Sequence, residues 1–76
     1  MREEKMETIV FRIRVASAGW TVIASSYRKS IADFQARDDA LEYAILLAQS
    51  QPQAVVDVYG EDGLLEARSE YAFGGR

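Results

Sequence analysis

The chain has 76 residues, 49% hydrophobic and 28% charged, which is the balance of one folded domain with no room for a second core. It contains neither cysteine nor histidine, which excludes disulfides, thiolate metal sites and two of the commonest catalytic side chains. The net charge of −3 is unevenly spread: residues 1–37 carry seven Lys/Arg and four Asp/Glu, residues 38–76 two and eight.

The N-terminal "MREEKMETIV" alternates charges and lacks the apolar segment of a signal peptide, and no apolar run approaches the ~20 residues of a membrane helix. A cytoplasmic chain without membrane association is expected, with a flexible stretch over 1–7. From Thr8 to Val15 the residues alternate. Ile9, Phe11, Ile13 and Val15 point one way, and Thr8, Val10, Arg12 and Arg14 the other, the signature of a half-buried strand. "SAGW" supplies a turn with Gly19 free to take a positive φ. A second strand follows from Trp20 to about Ser25, with Trp20, Val22 and Ala24 on one face. "SSYRKS" reads as a polar connection, and "IADF" as a short third strand over 31–34.

"ARDDALEYAILLAQSQ" has high helix propensity, places Asp38 and Asp39 at the positive end of the helix dipole, and is closed by Pro52. Ala36 and Arg37 are poor N-caps. On a helical wheel Ala40, Tyr43, Ala44, Leu47 and Ala48 form one side, extended by Leu41 and Ile45, while Leu46 falls outside beside Glu42 and Asp39. The alanines recur every four residues, which permits close approach to a sheet. "VVDVYGEDGLL" is then a strand, a tight turn and a returning strand. Val56, Val58, Leu65 and Ala67 point inward; Asp57, Tyr59, Glu66, Arg68 and Glu70 point outward. The tail over 72–76 is expected to fray.

The expected fold is therefore α+β: one domain over 8–71, an antiparallel sheet of four to five strands with one helix on one face, in the order β-β-(β)-α-β-β. Basic strands beside acidic ones would neutralise the uneven charge within a single sheet.

Gly19-Trp20-Thr21-Val22, Phe34 ahead of Ala40, Ala44 and Ala48, and Val56-Asp57-Val58-Tyr59-Gly60-Glu61-Asp62-Gly63 together resemble a family of small bacterial domains of unknown function. Its members carry a Gly-Trp-x-Val hairpin, an alanine-rich helix and a Val-x-Val-x-Gly-x-Asp-Gly hairpin. The resemblance spans about residues 8–71. It departs at Ala36, where the family tends to have a Ser or Thr cap, and in the acidity of the second half. It implies the fold and brings no activity with it.

Chemistry is sparse. Asp57, Glu61 and Asp62 could approach a cation, but Asp and Gly are also what tight turns require, and no calcium-loop spacing is present. Ser25, Ser26 and Ser30 near Lys29 have no histidine to activate them, and no glycine-rich phosphate loop follows a strand. No catalytic residue, metal or cofactor is expected. Two functions remain. The preferred one is a non-enzymatic protein-interaction or self-assembly module, expected to be a homodimer, with Leu46, Glu42 and Tyr43 as interface residues and edge strands open to pairing. The alternative is nucleic-acid binding through Arg12, Arg14, Arg28 and Lys29, with Tyr27 and Trp20 nearby. Trp20 shares its parity with core positions, and the overall acidity opposes that alternative.

Overall fold

The structure, a computed structural model, describes residues 8–25 and 29–72, with Lys29 described by its backbone alone. The elements are β1 (Ile9–Ala16), β2 (Gly19–Ala24), β3 (Lys29–Phe34), α1 (Arg37–Gln49), β4 (Ala54–Tyr59) and β5 (Leu65–Tyr71). They form the expected α+β fold, a five-stranded sheet with one helix packed on one face. The third strand starts two residues earlier than expected. The ends over 1–7 and 73–76, and Ser26, Tyr27 and Arg28 of the polar connection, lie outside the described residues.

The sheet order is β3-β2-β1-β4-β5. One junction departs from the antiparallel sheet expected: β4 runs parallel to β1, in the register Ile9↔Ala54 to Ile13↔Val58. The cause is the helix. After β3, α1 carries the chain across the sheet, and β4 enters on the free side of β1 running in the same direction, as a helical crossover allows. The other three junctions are antiparallel.

The core lies between α1 and one sheet face. Phe11 and Ile13 of β1, Val22 and Ala24 of β2, and Ala54 and Val56 of β4 are buried against Ala40, Ala44 and Ala48. The four-residue recurrence of these alanines puts a smooth strip of the helix on the sheet. Trp20, Ile31, Phe34, Leu41, Tyr43, Leu47, Val58 and Tyr71 seal its margins. Asp38 and Asp39 stand in the first turn of the helix, and Ala36 makes no side-chain cap. At the other end Ser50 and Gln51 donate their N–H groups to the Leu47 and Ala48 carbonyls just before Pro52.

Gly19 has φ +146°, and a Cβ there would collide with the Phe34 carbonyl oxygen. Its missing side chain lets the end of β3 close over the first hairpin. In the "GEDG" turn only Gly63 takes a positive φ, +83°. Gly60 is buried without a positive φ, and the end of the Glu66 side chain lies against it.

One inward expectation is corrected. Leu65 is 47% exposed and pairs with Tyr59, because the β4–β5 register shifts between Val58 and Tyr59. That bulge inserts one residue and breaks the alternation on which the assignment rested. Val15 shares the face of Phe11 and Ile13, as expected, and is exposed because it lies in the last, uncovered part of β1.

Candidate functional site

Three surfaces carry the residues that the sequence singles out: the open sheet face, the outer side of α1, and the edge made by β5.

The open face is laid out by strand register. One row runs Arg68, Asp57, Arg12, Ile23, Ser30 across the five strands, and beside it lie Glu70, Val55 and Val10. On the opposite side of that row Leu65 faces Tyr59, and Arg14, Thr21 and Asp33 follow. The Arg14 guanidinium sits 4.2 Å above the Tyr59 ring centroid. Arg12 and Arg14 thus share one face, as expected, and Trp20 lies on the other, among the core margins. Arg28 and the Lys29 side chain fall outside the described residues. Among the described residues the face is not basic. Asp33, Asp57 and Glu70 balance Arg12, Arg14 and Arg68, so adjacent strands neutralise one another as the uneven charge suggested.

Asp57 is only 1% exposed although it belongs to this open face. Arg68 lies over it from β5 and donates from Nε to Oδ1 at 2.7 Å and from Nη2 to Oδ2 at 3.0 Å, a two-pronged ion pair. These hydrogen bonds, and then the Asp57 charge, raise the Arg68 pKa above the ordinary arginine value. Both carboxylate oxygens are therefore engaged, and Asp57 does not join Glu61 and Asp62. Asp62 accepts the Leu64 N–H in the turn, and Glu61 is exposed. Among the described residues no three acidic side chains converge as a metal site.

The serines are used locally. Ser25 accepts the Val10 N–H; Ser30 bonds Thr21 through its hydroxyl and donates to Asp33 at 3.1 Å. On the helix, Leu46 is 67% exposed and Glu42 is exposed beside it, as expected for a surface position. Tyr43 lies on the core side of the same helix. Its ring packs 5.2 Å from that of Phe34 at the core margin, where it is half-buried. Ile45 is half-buried and stands outside the core cluster, on the Leu46 side.

Sequence reasoning missed the clamp at the start of α1. The Arg37 guanidinium lies over the Trp20 ring, 5.6 Å from its centroid, and donates to Glu66 at 2.6 Å. Glu66, displaced by the bulge, ties the second hairpin to the helix, in a cleft also lined by Glu61 and Asp62. The opposite charges were visible in the sequence, but 29 residues separate the pair and only the bulge aims Glu66 at the helix.

The third surface is β5 itself. Among the described residues it is an edge strand, and six of its seven residues are exposed. Helix α1 packs on β1, β2, β3 and β4 and leaves both faces of β5 largely bare. No helix among the described residues is long and apolar enough to cross a membrane. Neither a family model, nor a curated protein, nor a solved structure matches this chain.

Proposed function

We propose that this chain is a non-enzymatic protein-interaction module that binds by adding a strand to the free edge of β5. One observation carries the reading: a seven-residue strand at the edge of the sheet, uncovered by the helix and exposed at six positions. An unpaired edge presents a row of backbone donors and acceptors that a second extended segment satisfies. The strand contains no proline and no lysine, the residues that commonly blunt such edges. The opposite edge, β3, is a poorer template, because a register shift between Val22 and Ile23 interrupts its pairing in mid-strand. In β5 the irregularity lies at the turn end, leaving Ala67–Tyr71 in unbroken register.

Paired proline variants test this. Along a strand successive N–H groups point to opposite sides, so of Ser69→Pro and Glu70→Pro one removes a ladder bond to β4 and the other removes a donor from the free edge. Sedimentation velocity over a micromolar concentration series should show association in the parent chain. It should be lost in the folded proline variant whose N–H faces outward. Association that survives both prolines would rule the edge out.

The helix surface at Leu46 and Glu42 is the competing contact. Leu46→Glu separates the two: monomerisation by that change, without unfolding, would transfer the interface to α1.

Nucleic-acid binding on the open face is the second reading, supported by Arg12 beside Arg14 and by the stacking of Arg14 on Tyr59. The carboxylates of Asp33, Asp57 and Glu70 on that face weigh against it. It requires salt-sensitive binding that disappears in the double variant Arg12→Glu/Arg14→Glu.

A further inference from the structure

We infer that the occupant of the β5 edge is a second copy of this chain, paired β5 to β5 antiparallel about a two-fold axis at Ser69. The inference rests on the proposed edge-binding function and specifies its partner and register.

Charge selects the register. In an antiparallel pair, facing residues have numbers with a constant sum, and a two-fold axis relates the two strands of a homodimer. The charged residues of β5, Glu66, Arg68 and Glu70, all stand at even positions. Facing residues point to the same face, and the two-fold axis preserves faces, so they have numbers of like parity and every charge meets another even-numbered residue. An axis at Arg68 places arginine against arginine and Glu66 against Glu70. An axis at Glu66 or Glu70 sets that glutamate against its own copy. An axis at Ala67 would use Glu66, which is already bonded to Arg37 and stands at the bulge where regular pairing stops.

The axis at Ser69 avoids all of these. It brings Arg68 of each copy opposite Glu70 of the other, twice over, on the open face of the sheet. Arg68 then lies between two carboxylates, Asp57 on its own β4 and Glu70 across the interface. On the helix side Ala67 faces Tyr71, so a small residue meets the one large ring of the strand. The register uses the unbroken stretch Ala67–Tyr71. The product is one continuous sheet in the order β3-β2-β1-β4-β5-β5-β4-β1-β2-β3, with both helices on the same face and neither β5 left as an edge.

The absence of cysteine from the chain makes a direct test available. Facing residues in an antiparallel pair have Cα atoms about 4.5–5.5 Å apart, within the range of a disulfide. Oxidised with diamide, Ser69→Cys should give a covalent dimer on a non-reducing gel. Ala67→Cys alone should give little, since its two copies would be offset by four residues, about 13 Å. An equimolar mixture of Ala67→Cys and Tyr71→Cys should regain the cross-link. Glu70→Arg, which sets Arg68 against arginine twice, should weaken dimerisation about tenfold by sedimentation. Cross-linking of Ser69→Cys with little from Ala67→Cys alone upholds the register. A parent dimer in which Ser69→Cys fails to cross-link, or Ala67→Cys cross-links equally well, overturns this register and leaves the edge-binding function standing. A parent chain monomeric at every concentration overturns the self-pairing and leaves the edge to a different strand.

Discussion

Strands β1 and β5 are written in the same alternating grammar, IVFRIRVA and LEARSEY, and meet opposite fates. The first six residues of β1 are partly or fully buried; six of the seven in β5 are exposed. Alternation states which residues share a face, and nothing more. Burial depends on what lies over that face. A helix about 10–12 Å across cannot shade five strands spaced about 4.8 Å apart. Here α1 is seated over the centre of the sheet, and β5 is left outside its shadow. The strand that makes the core is the central one, and the strand left with unused pairing capacity is at the edge.

The contrast can be sharpened or broken by substitution. The largest effect should come from Ile13→Ala, which empties a fully buried position and should cost about 2–5 kcal/mol in urea unfolding. Leu65→Ala, at its exposed counterpart on β5, should stay within about 0.5 kcal/mol. Comparable losses at the two sites would mean that β5 is packed after all.

Gly19→Ala should follow, at about 1–3 kcal/mol, since both the positive φ and the Phe34 carbonyl oppose a side chain there. Next in order is the one strong contact that β5 makes with the body of the sheet. Arg68→Ala removes both hydrogen bonds to the Asp57 carboxylate and should lower the urea midpoint. Arg68→Lys, which supplies a point charge without the planar fork, should recover only part of the loss. Equal midpoints for the parent and Arg68→Ala would show that the pair contributes nothing to folding. The smallest effect belongs to Leu46→Glu. Its side chain is already in solvent, and thermal unfolding should move within about 0.5 kcal/mol of the parent.

Much of the fold was legible because it is locally encoded. The period-two pattern of Ile9, Phe11 and Ile13, the alanine recurrence in α1 and the Gly63 turn each depend on residues a few positions apart, and each is where the pattern puts it. What could not be read depends on distant neighbours. The helical spacing of Tyr43 puts it on the apolar side with Ala40 and Ala44, but its contact with the Phe34 ring, nine residues away in sequence, depends on where β3 ends. Leu65 was assigned inward by parity, and one bulge opposite Tyr59 reversed it. Of the candidate surface, Leu46 and the shared face of Arg12 and Arg14 were legible. The Asp57–Arg68 pair and the Arg37–Glu66 clamp were not, since each needs a particular register before its partners meet.

By itself the sequence determined the order and type of the elements, the shared faces of β1 and of α1, and the lack of thiol and imidazole chemistry, because these follow from backbone preference and composition. Only the tertiary structure decided that β4 joins β1 in parallel, that the open face balances its charges, and that β5 is left bare at the edge. The reason is geometric: strand order and helix placement are set by which apolar faces meet across long stretches of chain, and no local pattern records that meeting.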